Sequence, residues 1–376
     1  GRLQEAVGPT EEAVAIRRKL AASNPAFRPN LASALNNLGN RYSEVGMWQE
    51  AVAPTEQAVE VFRELAKTNP AFLHGLASTL NNLGNRYSEV GKPQKGVAPT
   101  EEAVVIRREQ AAKNPAFRPD LAGALNNLGN HYSKMGRWQE AVAKTEEAVA
   151  AYLELAAANP AFRSSLAGAL NNLGIRYREA GRGEEAVAPI EEAVAIRREL
   201  AATNPAFRPG LAMALNNLGI RYSEVGMRQE AVPPSEEAVV VFRELAATNP
   251  AFWPDLVGAL NNLGIRYREV GRDDLIDGQW HRAICSQKNP LAQAYLLISR
   301  ADRRPAGELA AVGDLLAAQA LLPEEDGGLR EALKEICRRR RSYAPAAFDA
   351  QWRKVSGQNV PPWLLDGSNE QGNRKE

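Results

Sequence analysis

The chain has 376 residues, 24% of them charged, with 46 Lys and Arg against 45 Asp and Glu. So even a balance excludes recruitment of nucleic acid or of an anionic membrane by a global field. The two cysteines, Cys285 and Cys337, form no CxxC and no disulfide framework, the longest apolar tract is too short to span a bilayer, and the N-terminus shows no signal-peptide pattern, which together point to a reducing cytoplasm.

The tetrapeptide NNLG begins at Asn36, Asn81, Asn126, Asn171, Asn216 and Asn261, always 45 residues apart. Length therefore counts repeats rather than globular domains. Six units begin at Asn24, Asn69, Asn114, Asn159, Asn204 and Asn249, preceded by half a unit over residues 1–23. Within a unit Leu31, Leu35, Leu38 and Tyr42 recur at helical spacing, the apolar stripe of a helix A. Gly46 supplies a stop able to take the left-handed conformation. Ala51, Val52, Thr55, Ala58, Val59, Phe62 and Leu65 then define a longer helix B. Pro54 conflicts locally with it, since a proline inside a helix removes one backbone bond; a bend is the expected result, as at Pro9, Pro99, Pro189 and Pro234. The segment NPAFRP closes each unit, because Pro25 and Pro29 both discourage helix at the residue before them.

Gly1 aligns with the mid-unit Gly46, so the chain is expected to be a piece of a longer protein. Beyond Gly271 the repeat pattern breaks and its small-residue positions are lost, and the rest reads as helices separated by breakers, over 274–286, 290–301, 306–322, 328–341 and 346–355, followed by PPWLL. The expected organisation is an array over 1–271, a helical cap region over 272–366 and a disordered polar tail over 367–376.

The spacing of Leu38-Gly39, Tyr42, Ala51 and Ala58 resembles the tetratricopeptide repeat, and the resemblance covers residues 1–271. It implies a small residue on helix A and two on helix B that let the helices pack closely. Two departures stand out: Leu35 occupies the position of a larger residue, and the unit is 45 residues because helix B is extended. Longer units with an LNNLA-like helix A are similar to the repeats of kinesin light chains and of bacterial regulators. The segment FDAQWRKVSGQNVPPWLL resembles the ends of large actinobacterial proteins that join repeat arrays to a nucleotide-hydrolysing or protease-like module. The implied fold is all-α, a right-handed α-solenoid of helix-turn-helix units with a helical C-terminal cap.

Catalytic signatures are missing from the sequence. His74, His131 and His281 fall in different units with no Cys or carboxylate at metal-ligand spacing, and read as surface substitutions. No phosphate-binding or nucleophile-elbow motif occurs. The Glu pairs of helix B, such as Glu101-Glu102 and Glu146-Glu147, read as a solvated face with Arg one turn on. The run Arg338-Arg339-Arg340-Arg341 reads as a basic last turn complementing its helix dipole. No enzyme, metal or cofactor is expected.

Helix A remains. Asn is a poor helix-interior residue, about 0.5 kcal/mol or more worse than Ala, yet it recurs. Residues 33, 36, 37, 40 and 44 share one face, opposite the packing stripe. A carboxamide offers donors and an acceptor, so a row of them can pair with the backbone of an extended peptide. The positions are Asn37, Asn82, Asn127, Asn172, Asn217 and Asn262, with Asn36, Asn81, Asn126, Asn171, Asn216 and Asn261 as the neighbouring series. Enzymes that attach N-acetylglucosamine to Ser and Thr carry a ladder at the residue before the Leu-Gly/Ala pair, and this resemblance implies the Asn37 series. One Asn of each pair could equally bond the adjacent unit and fix register.

A third position is Asn40, Asn85 and Asn130 in the first half and Ile175, Ile220 and Ile265 in the second, while Ser43, Ser88 and Ser133 become Arg178, Ser223 and Arg268, an asymmetry that would favour an apolar and acidic stretch of ligand against units four to six. The expected function is a protein- or peptide-binding scaffold, with no nucleic-acid or membrane partner and with self-association through the open N-terminal half unit. The alternative is the sensor region of a larger bacterial switch protein. Replacing Ile175, Ile220 and Ile265 with Asn separates specificity from packing: weakened binding at an unchanged melting temperature assigns the isoleucines to ligand selection, and the reverse assigns them to the core.

Overall fold

Every unit opens on an asparagine whose side chain accepts the backbone N–H two residues on, from Ala26 to Asn24 at 3.0 Å and equivalently at Asn69, Asn114, Asn159, Asn204 and Asn249. This Asx cap initiates a three-residue 3-10 turn, Pro25–Phe27 in the first unit, which runs directly into helix A. The proline after it does not delay the helix. Arg28 is already helical, with φ −55° and ψ −42°, because a proline in the first turn forfeits no intrahelical hydrogen bond.

The computed structural model describes residues 5–305, 308–323 and 326–365; the polar tail expected over 367–376 lies outside the described residues. The half unit contributes α1 (Val7–Ser23). Helices A are α2 (Arg28–Glu44), α4 (Leu73–Glu89), α6 (Arg118–Lys134), α8 (Arg163–Glu179), α10 (Arg208–Glu224) and α12 (Trp253–Glu269). Helices B are α3 (Trp48–Thr68), α5 (Pro93–Lys113), α7 (Trp138–Ala158), α9 (Val187–Thr203) and α11 (Val232–Thr248). Helix A has 17 residues and the first three full helices B have 21, which accounts for the long repeat. Pro54 and Pro99 lie inside uninterrupted helices. In the fourth and fifth units the helix begins later, at Val187 and Val232, so Pro189 and Pro234 fall in its first turn, where the lost N–H costs nothing.

Between A and B, Gly46, Gly91, Gly136, Gly181, Gly226 and Gly271 all have positive φ, between 72° and 85°. The chain reverses there, and only glycine enters that region without strain. After α12 follow α13 (Ile276–Ser286), α14 (Pro290–Arg303), α15 (Ala310–Leu321), α16 (Gly327–Tyr343), α17 (Pro345–Ser356) and the short α18 (Pro362–Leu365). The helices predicted beyond Gly271 are all present, with ends displaced by a few residues. No strand occurs among the described residues, and none of their helices is long and apolar enough to cross a membrane.

The chain divides into two compact units, Gly1–Ile196 and Arg197–Glu376, with the division inside α9. In the first, consecutive helices pack in pairs around small local cores. Val59 and Phe62 of α3 meet Leu76, Leu80 and Leu83 of α4, and Val104 of α5 joins Leu125, Leu128 and Tyr132 of α6. In the second, one core runs from Val239 and Phe242 of α11 through Leu260 and Tyr267 of α12 to Trp280, Leu296, Leu315, Ile336 and Trp352 of the helices that follow.

Helix A approaches helix B at a glycine. A Cβ on Gly39 would stand 2.1 Å from Thr55 Oγ1, and one on Gly84 would stand 2.1 Å from Thr100 Oγ1 and 2.9 Å from the Gly96 carbonyl oxygen. At Gly84 the obstacle includes backbone, which cannot rotate away. Gly84→Ala is therefore expected to destabilise the second unit by about 1 to 3 kcal/mol, read as a lower urea midpoint with faster amide exchange concentrated in α4 and α5.

Candidate functional site

Leu35, Leu38 and Gly39 of helix A are buried toward helix B, which leaves Asn36, Asn37 and Asn40 on the opposite side, half-buried or exposed. The structure brings the two asparagine series together across unit boundaries. Asn82 Nδ2 donates to Asn36 Oδ1 at 3.0 Å, Asn127 to Asn81 at 3.1 Å, Asn172 to Asn126 at 3.1 Å and, in the second compact unit, Asn262 to Asn216 at 3.0 Å. Each link joins consecutive helices A and contributes about 1 kcal/mol to register. The Asn37 series is thus not a row of amides devoted to ligand alone, since one donor of each linking amide is committed to its neighbour.

The faces still form clefts. Asn85, Asn130 and Asn172 line one with Ser88, His131 and Lys134; Asn37 and Asn40 line another beside α1; Asn261 and Ile265 line a third of about 470 Å³ with Arg268, Trp280 and Arg303. Asn130 Oδ1 also receives Arg176 Nη2 at 3.4 Å. Of the isoleucines, Ile175 and Ile220 are half-buried whereas Ile265 is 41% exposed.

One further column is defined by burial rather than by the sequence pattern. The residue after Asn40 is Arg41, and its equivalents Arg86, Arg176, Arg221 and Arg266 are buried. Each pairs with the glutamate three residues on, Arg86 with Glu89 at 3.0 Å and Arg266 with Glu269 at 3.2 Å, likewise Arg176 with Glu179 and Arg221 with Glu224. Burial holds the Arg86 and Arg176 guanidiniums below their ordinary range, and the adjacent glutamates oppose that shift. The preceding unit supplies a hydroxyl to the same carboxylates, from Ser43 to Glu89 at 3.0 Å, Ser133 to Glu179 at 2.7 Å and Ser223 to Glu269 at 2.7 Å. The signal was present as R-x-x-E at the 45-residue period, but burial of the arginine follows only from the stacking of neighbouring helices.

Two other expectations change. The Glu pairs are not merely a solvated face. Their first member accepts the next unit's tyrosine hydroxyl, Tyr42 on Glu11 at 2.5 Å, Tyr177 on Glu146 at 2.8 Å, Tyr267 on Glu236 at 2.6 Å, and also Tyr87 on Glu56. Their second member takes an arginine from the preceding helix B, Arg63 on Glu102 and Arg198 on Glu237, both at 2.5 Å. Burial and these carboxylates push Tyr87, Tyr132, Tyr177 and Tyr267 up to about 12. The arginine run is likewise spoken for. Arg340 is buried and donates to the carbonyls of Ala301, Asp302, Arg304 and Pro305 at the end of α14, Arg338 reaches the Trp363 carbonyl, Arg339 meets Asp302 and Arg341 meets Asp349. Arg340 and Arg341 do lie in the last turn of their own helix, and Arg340 complements the C-terminus of α14 as well.

Of the three histidines, His281 and His74 are exposed as expected, but each has a Cys or carboxylate neighbour after all: Cys285 Sγ lies 3.6 Å from His281 Nε2, and Asp120 Oδ2 lies 3.8 Å from His74 Nδ1. His131 is not a surface substitution: it is 2% exposed and occupies the buried arginine column. Neither ring nitrogen has a hydrogen-bond partner among the described residues, and burial, reinforced by Lys134, pushes the imidazole down to about 4.

A succession of helix pairs with glycine-mediated A–B contacts and a polar helix-A face defines an all-helical repeat protein. The chain belongs to the tetratricopeptide repeat family, whose models match residues 31–70, 76–109, 120–199 and 211–248. Among solved structures it is similar to BtubC (BKLC) from P. vanneervenii, 24% identical over 64% of this chain and 90% of that one, with a TM-score of 0.51. It is also similar to aspartyl phosphate phosphatase F from Bacillus subtilis, 13% identical over 97% of this chain and 92% of that one, with a TM-score of 0.50. The nearly identical TPR-like repeats of the kinesin-light-chain type from Podosopora anserina align at 26% identity over 58% of this chain and 97% of that one, with a TM-score of 0.47. No curated protein matches the chain.

His131 sets a pH dependence. The unfolded imidazole titrates near 6.5 and the folded one near 4, so between these values the unfolded chain binds the extra proton and stability falls as pH falls. Between pH 7 and 4.5 the contribution lost is about 2 to 3 kcal/mol. The urea midpoint of the third unit should drop over that range, and the drop should shrink in His131→Gln.

Proposed function

We propose that the chain is a peptide-binding scaffold whose ligand, an extended protein segment, lies against the helix-A faces and is held through its backbone by the asparagine amides. The observation that supports this reading is the inter-unit asparagine pair. A carboxamide has two N–H donors and two acceptor lone pairs, and each pair spends one donor of the first amide and one lone pair of the second. The bond fixes both side chains in place, so presenting their remaining capacity to a ligand forfeits little rotamer entropy. An extended segment offers one donor and one acceptor per residue with a rise of about 3.3 Å, the kind of partner a row of oriented amides matches.

Repeat arrays of this family are generally protein-binding and typically non-catalytic scaffolds. The helices from α13 onward then serve as the cap: the core of the second compact unit continues into them from α12, and an array end needs such cover. In either role, independent scaffold or sensor array of a larger switch protein, the binding face is the same.

Site-specific photocrosslinking tests the reading without removing the asparagine pairs. A benzophenone side chain at Asn85 or Asn130 should give discrete adducts with the partner in cell extract, and the same probe at the exposed Glu109 of α5 should not. Adducts at Glu109 alone would move the binding face to helix B.

A further inference from the structure

The third unit breaks the helix-A pattern at two positions together. Where the other units carry Arg41, Arg86, Arg176, Arg221 and Arg266, it has His131; where they carry Glu44, Glu89, Glu179, Glu224 and Glu269, it has Lys134. The other five form an ion pair between these positions. In the third, the pair is replaced by a buried imidazole and an exposed ammonium.

The link to the preceding unit is reversed as well. Ser43, Ser133 and Ser223 each donate to a glutamate of the next unit, whereas Ser88 accepts from Lys134 Nζ at 2.6 Å. Lys134 meets no carboxylate among the described residues. It stands in a cleft of about 390 Å³ with Asn85, Ser88, Asn130, His131 and Asn172. The other charges around that cleft cancel, Glu89 against Arg86 of the preceding helix A and Arg176 against Glu179 of the following one. One cation is left over, flanked by amide groups.

We propose that this cleft is a subsite for a single carboxylate side chain, Asp or Glu, of the bound segment, with Lys134 as its charge partner and the amides of Asn85 and Asn130 as flanking donors. The ligand supplies in trans the carboxylate that the other units carry themselves. The proposal rests on the reading of the helix-A face as a peptide site and adds the chemistry that one position selects. A monoanion matches one surplus positive charge. A phosphoryl dianion would leave a negative charge uncompensated beside Glu89, and so would bind more weakly. The neutral imidazole of His131 contributes by leaving out the buried guanidinium that would otherwise hold a glutamate in the chain. The exchange is written in the sequence, but its burial is tertiary: His131 Nε2 lies against the neighbouring helix, 3.1 Å from the position of a Cβ on Gly84.

A display library of random 12-residue peptides, selected in parallel on the full chain, on Lys134→Glu and on Lys134→Gln, tests it. The wild type should enrich Asp or Glu at one register at least fivefold over the input; Lys134→Gln should lose that enrichment, and Lys134→Glu should replace it with Lys or Arg. For one enriched peptide, Glu→Gln in the peptide and Lys134→Gln in the protein should each weaken binding about tenfold, and together no further. Lys134→Glu restores the residue type of the neighbouring units at an exposed position, and melting curves verify that each variant is folded. Peptides enriched equally in Asp and Glu by all three proteins overturn the subsite while leaving the peptide-binding face standing. No enriched peptide with any of them overturns the face and the subsite together.

Discussion

A two-helix unit cannot bury its apolar surface by itself, and that constraint governs the rest of the molecule. Helix A must lie against its own helix B and also against the next unit. The first contact is made close by Gly39 and its equivalents, whose missing side chain admits Thr55, Thr100, Thr145 or Ser235. Within each compact unit the second places the polar side of one helix A beside the polar side of the next. Side chains 46 residues apart then become neighbours, which is why asparagine meets asparagine and serine meets glutamate at the same step.

Those polar ties carry a specificity that the apolar contacts lack. Leucines repeated every 45 residues would tolerate sliding of one helix along another, but a carboxamide pair with N···O near 3.0 Å does not. The tyrosine–glutamate and arginine–glutamate bonds do the same work on the other faces. Most are partly exposed, so each adds little, in the range of 0 to about 1 kcal/mol. Their repetition matters more than their individual strength. The same fixity turns a structural row of amides into a presentable one.

The third unit shows how such an array acquires individuality. Two substitutions remove an ion pair, bury a neutral imidazole and expose an ammonium, all without disturbing helix length, turn or glycine contact. Local chemistry can therefore vary along the helix-A face while the scaffold stays constant. The Asn-to-Ile exchange at Ile175, Ile220 and Ile265 is a second variation of this kind, with different burial at each position.

The period and the apolar spacing determined helix type, order and number, because each is a local property of the chain: Leu35 and Leu38 set a face, Gly46 sets a stop, Asn24 sets a start. The same residues marked the helix-A face as polar and made Asn37 and Asn40 candidates for ligand contact. What neighbours what was decided by stacking alone. Burial of Arg86, Arg176 and His131, the pairing of Asn82 with Asn36 and the engagement of Arg340 by the end of α14 all join residues distant in sequence. A side chain's partner and its exposure depend on what covers it, and in this chain the cover is always another unit or another helix.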